Sequence, residues 1–317
     1  MQFFHDTSRN LLVYRPPSSF HAHQILERIP EARAVNGEYV CVPHTLQNAQ
    51  TLRWMQWPVA PVITDANYDF PIGRGKTPYE SQKTTANFLV LHPRSFCLSD
   101  MGVGKTLATL WAADWLMRLH PPKTCRALIV APLTILQRVW GDAIFENFLN
   151  RRTFDILYGD ADKRLRILNE STADFLIINF DGVKIGARFK KHRDPALPKQ
   201  RQRMELEGLS KALTERSDIK IAIVDEASGY RDAQTDRHLV AREVIGKRPY
   251  LWLLTGSPTP QAPTDAYGMA KLINNAWGKS FGTFQQDTMY KQGPFRWIPR
   301  RDGYDKARAL LQPAIRY

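Results

Sequence analysis

The chain has few of the features that mark secreted, disulfide-stabilised or membrane-spanning proteins. It contains 3 cysteines in 317 residues, and no two of them form a Cys-x-x-Cys pair. This odd, scattered set predicts free thiols in a reducing compartment and argues against a disulfide framework or a zinc site. No apolar run approaches the roughly 18 residues that a membrane-spanning helix needs, and the N-terminus lacks a basic start followed by an apolar stretch. We therefore expect a cytoplasmic globular protein with no membrane partner.

Acidic side chains are also in short supply. The chain has 44 Lys and Arg against 31 Asp and Glu, which gives a formal net charge of +13. This excess favours a polyanionic partner such as nucleic acid, with improved solubility as the alternative. The densest basic segment, residues 184–203, contains two prolines, so we predict that it is partly a loop. It either extends a nucleic-acid contact or forms a solvated surface.

Internal repeats and low-complexity tracts are absent as well, so the organisation has to come from hydrophobic patterning. From about residue 78 onward, apolar runs alternate with helical patterns, which predicts a mostly parallel sheet covered by helices on both faces. The predicted strands are 96–98, 127–131, 154–157, 175–179, 219–224 and 250–255. The predicted helices are 107–119, 134–149, 161–169, 200–216 and 235–245.

Residues 1–72 have a different pattern and predict a small α+β module. A strand at 11–14 precedes a helix through Ile29, and Asn36-Gly37 is a typical turn signal inside the strand segment 35–42. A second helix follows at 46–55. Residues 73–77, with the sequence GRGKT, are predicted to be a linker, because no apolar strand precedes them and a proline follows.

One stretch, residues 99–106 with the sequence SDMGVGKT, combines a strand end, a glycine turn and a helix start. Glycines allow backbone N–H groups to converge on an anion, and the helix N-terminus adds partial positive charge. Lys105 would then reach the β- and γ-phosphates, and the Thr106 hydroxyl would bind Mg²⁺. A glycine-rich turn without a ligand is the alternative, because the full pattern has glycine in place of Ser99. The residues predicted to bind the nucleotide here are Met101, Gly102, Val103, Gly104, Lys105 and Thr106.

An acidic pair follows another apolar run. Residues 221–224 form a buried strand that would deliver Asp225 and Glu226 to the carboxyl edge of the sheet, where open α/β sheets bind ligands. Asp225 would hold Mg²⁺ and Glu226 would orient and activate the attacking water. Two adjacent carboxylates at a strand end would be costly without a cation. An ordinary helix cap at Asp225 is the alternative.

In this order, the motifs resemble the first RecA-like lobe of superfamily II helicase-like ATPases, and more narrowly the Swi/Snf-type DNA translocases, with a phage or prophage branch as the expected source. The resemblance covers residues 78–317. Its five stretches are the phosphate loop, IVAPLT at 129–134, DEAS at 225–228, LLTGSP at 253–258 and LLQPAIR at 310–316. It implies a RecA-like P-loop domain that uses ATP and Mg²⁺ to move on double-stranded or branched DNA without reading its sequence, in the cytosol of a bacterium or a phage-infected host.

The resemblance also assigns roles to single residues. Gln82 matches the glutamine that reads the adenine edge, with a surface helix glutamine as the alternative. The residues that would couple the nucleotide to lobe movement, by bonding the acidic pair, are Thr255, Gly256 and Ser257. The residues that would contact DNA phosphates are Pro132, Thr134 and Asn179.

Two departures from the family pattern affect this interpretation. Ser228 replaces the usual histidine, and no element resembling the arginine-finger motif of the second lobe is found. Because removal of an arginine finger typically costs about 10³–10⁵ in rate, we expect weak ATP binding and poor hydrolysis unless a second RecA-like lobe is supplied in cis or in trans.

Two other classes of function compete with an ATP-driven motor. A truncated nucleic-acid-binding lobe without independent ATP turnover is the main alternative, and a small-molecule kinase explains neither the acidic strand end nor residues 255–258. Residues 25–43 are also faintly similar to the HARP repeat of annealing-helicase relatives, for which a plain packing module is the alternative.

Overall fold

The N-terminal part of the chain forms a small antiparallel sheet with two helices. The computed structural model describes residues 2–192, 201–274, 278–294 and 296–317. The strand order of the small sheet is β1-β2-β4-β3. Its elements are β1 (Gln2–Asp6), β2 (Leu11–Arg15), α1 (Ser19–Arg28), β3 (Arg33–Val35), β4 (Tyr39–Pro43) and α2 (Leu46–Trp54).

Local sequence accounts for most of this module. Asn36 and Gly37 both have positive φ, 51° and 69°, and form the predicted turn between β3 and β4. Ser18 and Thr45 are the N-caps of α1 and α2, because each side-chain oxygen accepts a hydrogen bond from the backbone N–H three residues later. Strand β1 was not predicted from the sequence. It is stabilised by pairing with β2 along its whole length, and a local pattern does not show such pairing.

The rest of the chain forms a large sheet with helices on both sides. Seven strands lie in the order β15-β5-β12-β11-β6-β8-β7, and all of their pairings are parallel. The elements are α3 (Glu80–Leu91), β5 (Arg94–Cys97), α4 (Lys105–Arg118), β6 (Arg126–Ala131), α5 (Asp142–Phe148), β7 (Phe154–Ile156), α6 (Ala161–Glu170), β8 (Phe175–Asn179), α7 (Phe180–Val183), β9 (Ala187–His192), β10 (Arg201–Leu206), α8 (Gly208–Glu215), β11 (Ile219–Val224), α9 (Asp236–Val244), β12 (Tyr250–Leu254), α10 (Ala266–Ile273), α11 (Phe281–Thr288), β13 (Met289–Lys291), β14 (Trp297–Pro299), α12 (Gly303–Leu310) and β15 (Ala314–Ile315).

The two faces of this sheet have separate hydrophobic cores. Leu128 and Val130 of β6 belong to one core, whereas Ile129 between them belongs to the other. Because both faces are buried, the central strands are almost continuously apolar. The predicted mostly parallel α/β sheet covered on both faces is therefore confirmed. Within the described ranges, no helix has the length and apolar content to cross a membrane.

One helix prediction was wrong. The range 200–216 was expected to be a single helix, but the structure has strand β10, a break, and then helix α8. Strand β10 pairs with β9 in an antiparallel hairpin, so long-range hydrogen bonding overrides the local helix pattern. The break is at Glu207, and it is followed by Gly208, whose φ is positive. Within the basic segment 184–203, residues 187–192 and 201–203 lie in these two paired strands, and positions 193–200 lie outside the described residues.

The segment between the two sheets packs against the helices of the large one. Asn87 of α3 holds the backbone of Ile63 through two hydrogen bonds, at 2.8 and 2.7 Å. Tyr68 and Phe70 lie in the same core as Trp111 of α4. Division of the chain at residues 72/73, with 73–77 as a linker, remains a prediction, but these contacts favour a boundary nearer residue 60.

A buried carboxylate fixes this segment in place. The Asp114 side chain of α4 is fully buried and accepts hydrogen bonds from the Tyr68 hydroxyl (2.7 Å), Arg151 (2.9 Å) and Arg152 (2.6 Å). Arg151 also pairs with the exposed Asp69. A buried charge that loses its partners is expensive, so this cluster holds three segments together.

We expect Asp114→Asn to lower the free energy of unfolding by about 3 kcal/mol, because two guanidinium groups lose a buried anion. Asp69→Asn is the matched control, since it removes an exposed partner of the same Arg151 and should cost less than about 1 kcal/mol. Urea unfolding of the two variants measures both values. Equal losses would contradict the importance of the buried carboxylate.

Candidate functional site

The phosphate-loop sequence lies between β5 and α4, as the sequence predicts. Gly102 and Gly104 have φ of 82° and 81°, a left-handed backbone that side chains other than glycine rarely adopt. Met101 at the tip is 80% exposed, and α4 begins at Lys105. The loop is therefore a turn that opens directly into a helix N-terminus, the arrangement that binds phosphate groups in proteins.

Lys105 is held by its own loop. Its ammonium group donates hydrogen bonds to the backbone carbonyl oxygens of Ser99 (2.9 Å) and Asp100 (2.7 Å). The lysine side chain therefore folds back on the first residues of the loop, and its charge lies beside their backbone carbonyls. The Lys105 ammonium is therefore a positive charge at the phosphate loop that an anionic ligand could bind.

Asp225 follows strand β11 and is 9% exposed. One carboxylate oxygen accepts from the indole N–H of Trp140 at 3.0 Å, and the other accepts from the backbone N–H of Glu226 at 3.0 Å. Burial raises the pKa of Asp225, and these two donors and the nearby Lys105 oppose that rise. Asp225 is thus an oriented carboxylate that would gain from a further cation.

Glu226 is half-buried next to it and has a left-handed backbone, with φ 50° and ψ 52°. Such a conformation is costly for a residue with a side chain and is often found at functional sites. Burial and the adjacent Asp225 raise the pKa of Glu226, whereas Lys105 lowers it. Because β5, β12 and β11 are parallel neighbours, the loop lysine and the acidic pair lie at the same edge of the sheet, where Lys105 lowers the pKa of both carboxyl groups.

Mg²⁺ would have to be held by few protein groups. In the part of the chain that the structure describes, no group of three or more His, Cys, Asp or Glu side chains could hold a metal ion. An oriented, buried carboxylate with a raised pKa and a hydroxyl at the start of α4 nevertheless fit Mg²⁺, because this ion prefers oxygen ligands and keeps several of its waters. Asp225 and Thr106 are the residues that would hold it.

A cavity of about 760 Å³ opens beside the phosphate loop. Its wall combines the start of α4, the start of α3, the predicted linker and the helical segment around Arg138. The lining residues that bear on a ligand are Lys76, Thr77, Tyr79, Gln82, Gly104, Thr106 and Arg138. The segment 73–77 is therefore part of the pocket wall. The amide oxygen of Asn147 holds it by accepting from the Gly73 N–H at 2.7 Å.

Gln82 lies directly against the phosphate loop. Its side chain is almost completely buried, and its amide oxygen accepts from the backbone N–H of Tyr79 at 3.0 Å. A Cβ atom on Gly104 would overlap the Gln82 amide nitrogen. Gly104 is thus required both for its positive φ and for this close approach. Gln82 is therefore not a surface glutamine, and its nucleobase-reading role remains a prediction.

Residues 255–257 lie beside the same loop. A Cβ on Gly256 would come within 3.6 Å of the Ser99 carbonyl oxygen. The Thr255 hydroxyl accepts from the Ser257 backbone N–H at 3.2 Å. Among the described residues, neither hydroxyl is hydrogen-bonded to the acidic pair, so the expected link to those carboxylates is not formed in this conformation.

The predicted DNA-contact residues have different environments. Pro132 precedes a 3-10 helix, Leu133–Ile135, at the end of β6, and Thr134 in this helix is exposed. Asn179 is 9% exposed, and its amide oxygen accepts from Arg164 at 2.8 Å. The assignment of Asn179 to a DNA contact remains a prediction.

Sequence reasoning missed three contributors to the site. Nothing in the sequence around Trp140 signals its bond to Asp225. Tyr79 and Arg138 were not singled out, although both line the cavity. For Tyr79, the signal that the sequence offers is an aromatic residue three positions before Gln82.

Comparison with known proteins agrees with this geometry. Protein p41 of Acyrthosiphon pisum secondary endosymbiont phage 1 is 25% identical over 216 residues, which cover 66% of this chain and 42% of that protein. The Sulfolobus solfataricus SWI2/SNF2 ATPase core in complex with dsDNA superposes with a TM-score of 0.56 and 18% identity over 78% of this chain and 46% of that chain. The SWI2/SNF2 ATPase core domain of the same organism gives 0.53 and 17% over 80% and 46%.

At these identities the structural likeness shows the fold alone, and that fold is the expected RecA-like α/β lobe. The chain spans less than half the length of these relatives. The family model of the SNF2-related domain matches residues 76–315, which include the phosphate loop, the acidic pair and the cavity. This match covers most of the chain, and the chain therefore belongs to the SNF2-related domain family.

Proposed function

We propose that this chain is the ATP-binding lobe of a DNA-associated motor, which hydrolyses ATP with Mg²⁺ and tracks the DNA phosphate backbone without reading its sequence. The observation that carries the proposal is the position of the Lys105 loop and of the Asp225 and Glu226 pair at one edge of the parallel sheet, beside a cavity that Gln82 lines. A kinase for small molecules would not need this acidic strand end.

The cavity and the loop together fit a nucleoside triphosphate. Gln82 can offer its amide to the adenine edge, and Tyr79 and Arg138 offer flat groups that can stack on a base. The phosphate groups would lie over Gly102 and Gly104, where the helix N-terminus and Lys105 supply positive charge.

In hydrolysis, the residues mainly position groups and neutralise charge. Lys105 would leave its backbone carbonyls and bind the β- and γ-phosphate oxygens. Glu226, whose raised pKa favours proton acceptance, would orient the attacking water and take up its proton. Asp225 and Thr106 would hold Mg²⁺, which when bound would supply further neutralisation of the developing charge.

Several features support DNA as the partner. The net charge is +13, and the exposed 3-10 helix Leu133–Ile135 presents backbone N–H groups and a hydroxyl that suit phosphate oxygens. The basic hairpin β9–β10 adds positive charge. One structurally similar protein was solved in complex with dsDNA, and we extend that partner to this chain. The proposed partner is double-stranded or branched DNA.

A second lobe is part of the same proposal. RecA-like motors place the nucleotide between two lobes, and the arginine finger typically adds about 10³–10⁵ in rate. No arginine-finger motif was found in this sequence, which favours the alternative of a nucleic-acid-binding lobe without turnover of its own. A second RecA-like lobe in cis or in trans would restore full activity.

Lys105→Ala should weaken binding of Mg²⁺-ATP by about ten- to a hundredfold, because charged hydrogen bonds to phosphate are lost. Equilibrium binding of a fluorescent ATP analogue measures the change. Lys211→Ala, which removes an exposed lysine of α8, is the control and should stay within about twofold of the wild type. Unchanged binding in the Lys105 variant would contradict the proposed nucleotide site.

Gln82→Ala should reduce the preference for ATP over GTP, because the paired donor and acceptor of the amide are lost. Competition of ATP and of GTP against the fluorescent analogue measures both affinities in one preparation, so each variant carries its own control. We expect ATP affinity to fall toward that of GTP. A variant that still prefers ATP as strongly as the wild type would rule out adenine recognition by Gln82.

Binding to a DNA duplex should fall steeply with salt, because basic groups displace counterions from phosphate. If the lobe belongs to a motor, a non-hydrolysable ATP analogue with Mg²⁺ should change this affinity, since the two sites are coupled. Fluorescence anisotropy of a labelled duplex at several salt concentrations, with and without nucleotide, measures both effects. Salt-dependent binding that ignores nucleotide would instead support the alternative function.

A further inference from the structure

Trp140 has an unusual position on the chain. It lies in a π-helical turn, Leu136–Gly141, between the 3-10 helix Leu133–Ile135 and helix α5. Such turns are rare, insert an extra residue per turn, and are frequent at functional sites. Here the turn directs a fully buried indole toward the end of β11.

The partner of this indole differs from those of its neighbours. Three tryptophans are fully buried in the described part of the large-sheet core, and each donates its N–H. Trp111 donates to the Pro71 carbonyl at 2.7 Å and Trp252 to the Leu89 carbonyl at 3.0 Å. Trp140 donates to a carboxylate, at 3.0 Å. A hydrogen bond to a charged acceptor is about twice as strong as one to a neutral acceptor.

This bond leaves Asp225 with one donor on each oxygen, from Trp140 on one side and the Glu226 backbone on the other. A carboxylate has about four lone-pair directions, so two remain for a metal ion or its waters. Two donors on opposite oxygens fix the plane of the carboxylate. Without the indole N–H, one buried oxygen would lack a partner and the group would be free to rotate.

We infer that Trp140 is a positioning residue for the Mg²⁺ site: its indole N–H fixes the Asp225 carboxylate in the orientation that binds the ion. The inference rests on the proposed function. The residue also joins two parts of the lobe, because its π-turn follows directly on the exposed 3-10 helix that we propose to contact DNA. A change in that segment would therefore reach Asp225 through one hydrogen bond.

The test introduces Trp140→Phe into the 317-residue chain. This change keeps a buried aromatic ring and removes the indole N–H that donates to Asp225. Trp252→Phe is the matched control, because it removes a buried indole hydrogen bond to a backbone carbonyl in the same core. Binding of a fluorescent ATP analogue is measured against Mg²⁺ concentration and again in excess chelator, and thermal unfolding is followed for both variants.

Trp140→Phe should raise the Mg²⁺ concentration at half-maximal binding by about ten- to a hundredfold, the usual effect of losing a partner of a metal ligand. Its nucleotide affinity in chelator should stay within about twofold of the wild type. Trp252→Phe should lose similar thermal stability but keep the wild-type Mg²⁺ midpoint. An unchanged Mg²⁺ midpoint in Trp140→Phe, or equal shifts in both variants, would overturn the inference while the proposed function stands.

A second measurement on the wild-type protein covers the case in which Trp140→Phe fails to fold. The ¹H–¹⁵N cross-peak of the Trp140 indole should shift when Mg²⁺ is added to the nucleotide-bound protein, whereas that of Trp252 should not. A Trp140 cross-peak that is insensitive to Mg²⁺ would overturn the inference. If wild-type nucleotide binding shows no Mg²⁺ dependence, the proposed function fails and the inference fails with it.

Discussion

Two neighbouring carboxylates at the end of a buried strand need positive charge opposite them, and the lobe is arranged around that requirement. The ammonium of Lys105 meets it, lowering the pKa that burial raises in both Asp225 and Glu226. This meeting depends on parallel pairing, because β5 and β11 flank β12 and all three end at the same edge. If either β5 or β11 ran in the opposite direction, the lysine and the acidic pair would lie at opposite edges of the sheet.

Much of this arrangement could be predicted from sequence. The nearly continuous apolar strands indicated a parallel sheet buried on both faces, and Gly102 and Gly104 indicated a glycine turn, whose φ is positive at both positions in the structure. Given those two features, the phosphate loop and the acidic pair had to share one sheet edge. These predictions succeeded because each depends on a short run of residues whose local chemistry admits few structures.

The remainder depends on contacts between residues far apart in the chain. The helix expected at 200–216 is interrupted because β10 pairs with β9, which no local pattern encodes. The segment 73–77 forms a pocket wall because Asn147 holds it. The amide oxygen of Asn179 accepts a hydrogen bond from Arg164, which nothing in the local sequence signals. In each case a hydrogen bond across the tertiary structure decided the outcome.

The bonds between Lys105 and the carbonyls of Ser99 and Asp100 have one more consequence. They hold the ammonium against the first residues of the turn rather than out in solvent. A phosphate bound over the turn would offer it charged oxygens in place of two neutral acceptors, and charge-assisted hydrogen bonds are about twice as strong as neutral ones. The contribution of Lys105 to the affinity for an anion is therefore the difference between the two sets of bonds, not the full strength of the new set.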